Sequence, residues 1–319
     1  MLAALYRSPG GSEMLSVEEV DQPDPAPGGV RVRLHVAGVN PTDYKRRGTT
    51  APDTDFQVPG QDGAGDIEAV GDGVDPARIG ERVWVWFAAS PGRKWGTAAQ
   101  YTVVPSGQAV RLPDPASYDD GAGLGVPAMT AWHCLYADGP IAGRTVLVAG
   151  GAGAVGNAAI ALARSGGARV IATVSGPDKA TLAEAAGAHA VVNYRDDDAA
   201  DQVRAQAPDG VDRIVEVALG ANLELDLAIL APRGVVSTYA DDALGDVPVR
   251  RLMMANATLH FVMVYGISDD ALDAAAAGVA AAAADLPRLP ITRFPLTEVA
   301  AAHDAVEQGR LGKVLLDIP

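Results

Sequence analysis

The chain holds one cysteine, Cys134, among 319 residues. A lone thiol excludes an internal disulfide and any cysteine-rich zinc site. Histidine is also scarce. The five present, His35, His133, His189, His260 and His303, fall at no tight metal spacing. Each reads better as a surface or core histidine than as a ligand, so no metal is expected. Cations are the minority charge: 25 Lys and Arg stand against 40 Asp and Glu, for a formal charge of −15. Non-specific contact with nucleic-acid phosphates needs clustered Lys and Arg, so no nucleic-acid partner is expected. The same excess of acid is what a plain solvated surface shows. Long apolar runs are missing too. No stretch of about 18 uncharged apolar residues occurs, so no membrane span is expected. The alanine-dense stretch Ala274–Ala284 is too short and is bounded by Asp273 and Asp285. The opening MLAALYRSPG lacks a basic start followed by a long apolar region. No signal peptide is expected, and the cytoplasm is the expected compartment.

What is present suits a folded two-domain chain: 48% of residues are hydrophobic, and the length allows a large core. The most informative stretch is Thr145–Gly156. The apolar run Val146, Leu147, Val148 leads into Gly151-x-Gly153-x-x-Gly156, and an Ala-rich, helix-compatible segment, Ala158–Ala163, follows. Strand, glycine turn, helix is the layout that holds the pyrophosphate of a dinucleotide. In that reading Gly151 permits the tight turn, Gly153 lets the backbone approach the phosphates, and Gly156 lets the helix pack on the strand. Ala154 and Val155 open the helix, whose free N–H groups and positive dipole end face the anion.

The first part of the chain reads as β-rich. Along Val30–Val39, Arg31, Arg33 and His35 share one face while Val32, Leu34 and Val36 share the other. Further strands are expected at Gly63–Val70, Arg82–Phe87 and Ala99–Val104, and Pro105–Pro115 reads as a connector. From Thr145 onward strands and helices alternate. Strands are expected at Thr145–Ala149, Arg169–Val174, Ala190–Asn193, Arg213–Val217, Gly234–Tyr239 and Leu259–Val264. Helices are expected near Ala154–Ser165, Asp178–Ala186, Ala199–Ala207 and Asn222–Leu230, with Pro177 early in one and Gly187 ending it. The alternation predicts an α/β, doubly wound parallel sheet in the order 3-2-1-4-5-6. A tail follows: a helix at Asp269–Ala284, a strand at Ile291–Phe294, a helix capped by Thr297 and a last strand at Lys313–Ile318, expected to return to the first domain.

These segments together resemble the medium-chain dehydrogenase/reductase superfamily, and within it the zinc-independent quinone oxidoreductase (zeta-crystallin-like) group. The resemblance covers nearly the whole chain. It rests on Gly38–Tyr44 (GVNPTDY), Val58–Val70 (VPGQDGAGDIEAV), Gly80–Trp84 (GERVW), Pro127–Trp132 (PAMTAW), the glycine loop and Gly312–Leu316 (GKVLL). It implies an N-terminal GroES-like β domain plus a Rossmann sheet, with residues 1–118 and 267–319 catalytic and residues 119–266 binding the dinucleotide. The departures from zinc alcohol dehydrogenases point the same way. Gly38-Val39-Asn40 stands where those enzymes resemble G-V-C, and Gly60-Gln61-Asp62 where they carry G-H-E.

A site choosing NAD places Asp or Glu at the end of the second strand, to bind the ribose 2′-OH and repel a 2′-phosphate. Here that strand ends in Ser175, which can donate to a phosphate. Lys179 follows on the next helix, and Tyr194 and Arg195 follow the third strand. In the quinone reductases this chain resembles, a Ser, Lys and Tyr at matching positions contact the 2′-phosphate, so NADPH is the expected cofactor. Lys179 and Arg195 also read as ordinary solvated charges, and Asp178 and Asp196–Asp198 can offset them.

Hydride addition to a quinone or an α,β-unsaturated carbonyl leaves negative charge on oxygen, and donors aimed at that oxygen lower the barrier. Asn40, Tyr44 and Lys45 lie on the loop that the resemblance assigns to the substrate, and are the candidate catalytic residues. Tyr44 can donate or be a packed wall, and Asn40 can donate or pin the turn before Pro41. Thr130 resembles a position near the nicotinamide, and also reads as a helix-internal Thr bonding its own backbone. Trp84, Trp86, Phe87 and Trp95 can line a flat apolar pocket or fill a core strand. The expected activity is NADPH-dependent quinone reduction. The alternatives are an enoyl, alkenal or enone reductase and an NADPH-binding protein without turnover, since relatives also serve as lens and RNA-binding proteins. A homodimer is expected from the apolar edge Leu259–Val264.

Overall fold

The alternation along Val30–Val39 becomes the longest strand of the computed structural model, which describes residues 1–241 and 243–319. In chain order the first elements are β1 (Leu2–Leu5), β2 (Ser16–Glu19), β3 (Gly29–Val39), α1 (Pro41–Thr49), β4 (Asp62–Val70), β5 (Arg82–Val85), β6 (Tyr101–Pro105), β7 (Ala109–Arg111), α2 (Tyr118–Gly121) and α3 (Gly125–Tyr136). Val30, Val32 and Leu34 of β3 are buried, Arg33 is exposed, and Arg31 and His35 are half-buried, as period-2 alternation requires. The sheet runs β14-β15-β3-β4-β5-β7, with β6 paired to β3 along Gly29–Arg33; here β14 is Ile291–Pro295 and β15 is Lys313–Asp317. β15 lies antiparallel to β3, so the C-terminal tail rejoins the first sheet.

The second sheet comes from β8 (Thr145–Ala149), α4 (Ala154–Ser165), β9 (Arg169–Val174), α5 (Pro177–Ala185), β10 (Ala190–Asn193), α6 (Ala199–Gln206), β11 (Val211–Glu216), α7 (Leu219–Ile229), β12 (Leu230–Thr238), α8 (Val249–Ala255) and β13 (Thr258–Phe261). Its order is β10-β9-β8-β11-β12-β13, parallel throughout, which is the expected 3-2-1-4-5-6. The order reverses between β8 and β11, and in such sheets ligands bind beyond the carboxyl ends of the strands at that point. The tail helices are α9 (Asp269–Ala282) and α10 (Val299–Glu307).

The chain divides into two units. One comprises Met1–Val126, Ala276–Ala284 and Pro290–Pro319, and the other Pro127–Ala275 and Asp285–Leu289. The core of the first is built on Val30, Val32, Leu34, Val83, Val85 and Leu316, and that of the second on Leu147, Ile171, Val203, Ile214 and Val236. Among the described residues no helix is long and apolar enough to cross a membrane.

Local details differ from the sequence expectations for identifiable reasons. Pro105–Pro115 is more than a connector, because β7 pairs with β5 within it. The helix expected to be capped by Thr297 starts at Val299 after a short 3₁₀ turn, Leu296–Glu298, and Glu298 is its N-cap. The last strand of the parallel sheet stops at Phe261, because a second 3₁₀ turn occupies Val264–Gly266. Trp84, Trp86 and Phe87 are 0%, 3% and 3% exposed. These three fill the core, as the core-strand reading has it, and Trp95 is half-buried against it.

Candidate active site

β8 hands over to α4 through the glycine turn, with Gly153 as N-cap. The left-handed residue is Gly150 (φ 66°), so the tight turn assigned to Gly151 belongs one residue earlier. Gly151 is required by packing: a Cβ there would stand 2.9 Å from both Ala172 Cβ and Ile160 Cδ1. At Gly156 a Cβ would stand 2.4 Å from Gly150 O, so only glycine lets the helix lie on the turn. At Gly153 a Cβ would meet only Gly150 O, at 3.4 Å, leaving room on its outer side. No side chain caps α4. The N–H groups of Ala154, Val155 and Gly156, in its first turn, are the donors an α-helix cannot satisfy internally. Asn157, 3% exposed, braces the turn by donating from Nδ2 to Gly151 O (3.3 Å) and Leu182 O (3.1 Å). Sequence reasoning missed it. Its signal was a lone amide in an Ala-rich helix.

Ser175 and Lys179 come together beyond the carboxyl end of β9, and Tyr194 follows the adjacent strand β10. Pro177 sits at the start of α5 and brings Lys179 round, so that its Nζ donates to Ser175 Oγ at 2.9 Å. Asn193 pairs with Val174, and Tyr194 N donates to Val174 O at 3.1 Å. Tyr194 stays exposed beside the Arg195 guanidinium, which lies 5.9 Å from its ring centroid. Of the neighbouring acids, Asp196 accepts from Asn193 Nδ2 (2.9 Å) and Asp198 from Gln202 Nε2 (2.7 Å).

β11 ends in a buried carboxylate, Glu216. Its Oε1 accepts from Val217 N (2.7 Å), Ala218 N (2.5 Å) and Asn222 Nδ2 (2.9 Å), which shapes the loop into α7. Asp226 on α7 is equally buried. Burial, and then the Glu216 charge, push the Asp226 carboxyl up to about 9, so it holds its proton at neutral pH. Burial also raises Glu216, against which its three donors work. Neither residue stood out in the sequence, because nothing local shows that two acids ten positions apart share one buried site.

In the first unit, Asn40 is the N-cap of α1 and is 2% exposed. Its Oδ1 accepts from Lys313 Nζ (2.7 Å), its Nδ2 donates to Asp62 Oδ2 (2.7 Å), and its N–H donates to Asp43 Oδ2 (2.8 Å). Asp62 in turn accepts from Val126 N at 2.9 Å. Burial raises Asp62 to about 6 and Asp43 to about 7, while the same burial lowers Lys313. Tyr44, next on α1, is half-buried, and Lys45 is exposed. Gln61 is buried and donates to Ala89 O at 3.2 Å. Thr130 is buried within α3 of the second unit. Among the described residues no group of three or more His, Cys, Asp or Glu stands together as metal ligands would.

Residues 26–114 match the family model of an alcohol dehydrogenase GroES-like domain, and residues 154–278 that of a zinc-binding dehydrogenase. A quinone oxidoreductase of Rattus norvegicus is 31% identical over 96% of this chain and 94% of its own length. A mycobacterial protein solved in complex with NADPH superposes with a TM-score of 0.84 at 28% identity, covering 99% of each chain. A solved NAD-dependent alcohol dehydrogenase superposes with a TM-score of 0.89 at 26% identity, covering all of both chains. The fold is thus shared by proteins of different cofactor and substrate, and local chemistry has to separate them.

Proposed function

This chain belongs to the quinone oxidoreductase family of the medium-chain dehydrogenase/reductases, and on that premise we propose that it is an NADPH-dependent reductase passing hydride to a quinone without a metal. The observation that carries the reading is the Lys179–Ser175 hydrogen bond at the end of β9. A hydroxyl and an ammonium occupy the place where an NAD site sets a carboxylate. A 2′-phosphate gains charge-assisted hydrogen bonds there rather than repulsion.

The glycine turn fits the rest of a dinucleotide. Gly151, Gly153 and Gly156 keep side chains off the cradle, and the N–H groups of Ala154 and Val155 receive the pyrophosphate. Ser175, Lys179 and Tyr194 hold the 2′-phosphate, and Thr130 serves the nicotinamide end. When bound, NADPH supplies the hydride. Tyr44 donates to the substrate oxygen as it becomes anionic, and Lys45 adds a positive charge beside it. Asn40 has its amide committed to Lys313 and Asp62, so it anchors the start of α1 rather than touching substrate. Residues 1–118 and 267–319 carry this chemistry, and residues 119–266 carry the cofactor. The protein works in the cytoplasm as a homodimer. In support of the dimer, Met253, Met254, Phe261 and Met263 are 67–75% exposed on and beside α8 and β13.

The test is NADPH oxidation against quinones, enals, enones and acyl thioesters, with Tyr44→Phe alongside. Quinones are expected to be reduced fastest. Tyr44→Phe is expected to lower turnover by up to about 10²-fold with NADPH affinity unchanged. Faster enone reduction, with the larger Tyr44→Phe defect there, makes the protein an enoyl reductase. NADPH binding with no turnover of any acceptor makes it a binding protein.

A further inference from the structure

Three neighbouring strands bring together side chains that the sequence keeps far apart. β15, β3 and β4 lie side by side, with Val314 opposite Val39 and Gly38 opposite Asp62. Lys313, Asn40 and Asp62 therefore meet at one end of the sheet. The Asn40 amide sits between cation and anion, and its orientation follows from its partners: the oxygen must face the ammonium and the NH₂ the carboxylate. Bare backbone makes the space. A Cβ at Gly38 would stand 3.1 Å from Lys313 Cε, and one at Gly125 would stand 2.1 Å from Asp62 Oδ1.

A fully buried ammonium is costly unless its surroundings answer it. Here the groups facing it are Asn40 Oδ1, Val39 O at 3.5 Å, and the charges of Asp62 from β4 and Asp43 from α1, the latter also beside Arg46. What these contacts hold in place is the first turn of α1: Asn40 caps it, Asp43 closes the reciprocal bond, and Tyr44 and Lys45 come next.

We propose that Lys313 is a positioning residue: through Asn40 and Asp62 its ammonium sets the start of α1, and so places Tyr44 to donate to the oxygen that becomes anionic and Lys45 to set its charge beside it. The inference rests on the reading of Tyr44 as donor. It also has a signature of its own. The Lys313 charge pulls down the carboxyls of Asp62 and Asp43 against the burial that raises them. Its removal raises both, and moves any acid limb of kcat that they set to higher pH.

The experiment compares Lys313→Met, Lys313→Gln and Tyr44→Phe, measuring kcat across pH, KM for the quinone and Kd for NADPH. Both Lys313 variants are expected to lose about tenfold or more in kcat, with Kd for NADPH within about twofold of the parent. Their acid limb is expected to move to higher pH. Lys313→Gln keeps a neutral donor on a side chain one atom shorter and is expected to be the milder of the two. Should Lys313→Met not fold, Lys313→Gln decides alone. A kcat within about twofold of the parent, or an acid limb that stays in place, overturns the proposal. Tyr44→Phe separates the two readings. If it is impaired while the Lys313 variants are not, only this inference fails; if it is silent, the donor reading falls and this inference with it.

Discussion

Lys179 Nζ donates to Ser175 Oγ across the turn that joins β9 to α5. Tyr194 follows the neighbouring strand β10, and its N–H donates to Val174 O at the end of β9. In the proposed function the Lys179–Ser175 relationship is the basis for cofactor choice. Lys179→Ala is expected to weaken NADPH binding about tenfold or more while leaving NADH nearly unchanged, since a charge-assisted bond to phosphate is what is removed. Titration of both dinucleotides checks it, and equal affinities in the parent protein would refute NADPH preference outright.

Metal independence is open to direct measurement. Asn40 and Gln61 stand in the segments where zinc alcohol dehydrogenases carry Cys and His, and an ammonium answers the local carboxylate. Elemental analysis is expected to find substoichiometric zinc, and turnover is expected to survive chelation. One tightly held zinc per chain, with activity lost on its removal, would contradict this.

The buried pair Glu216 and Asp226 gives stability a pH dependence of definite sign. The folded chain holds the Asp226 proton up to about pH 9, whereas the unfolded chain releases it near the ordinary value of 3.8. The folded state therefore binds the extra proton, and stability falls as pH rises through that window. Asp226→Asn mimics the protonated form and still offers Glu216 a donor. It is expected to raise the thermal midpoint more at pH 8 than at pH 5, by about 2–4 °C for each kcal/mol recovered. An equal shift at both pH values would show that Asp226 does not carry this proton.

The exposed apolar residues around β13 bear on assembly. An edge strand with an apolar surface tends to pair with another chain. Light scattering is expected to give about twice the chain mass. Phe261→Lys is expected to loosen the dimer at least tenfold, about 1.4 kcal/mol. A parent protein that stays monomeric at micromolar concentration would rule the dimer out.

The parallel sheet was legible in the sequence almost strand by strand. Thr145–Ala149, Arg169–Val174 and Ala190–Asn193 form over the residues that periodicity marks, and α4 spans Ala154–Ser165 as expected. Each of those signals is local: an apolar run, a glycine turn, a helix-forming segment. That Ser175 and Lys179 touch has the same local origin, since they are four residues apart on one turn. The short helix α1 was not, because PTDYKRRGT has no apolar stripe, and its start depends on the capping of Asn40. Nor could composition decide between wall and core for Trp84 and Trp86, since alternation is the same in both and only packing distinguishes them.

The sequence by itself determined the strands and helices of the dinucleotide sheet and the alternation that predicts its order, because short-range sterics and periodicity set these. The tertiary structure alone decided that Lys313 meets Asn40 and Asp62, that Asp226 faces Glu216, and that the tail closes the first sheet. The first of those contacts joins residues 273 positions apart, and it is strand register and burial, not spacing along the chain, that make a lysine and an amide into one site.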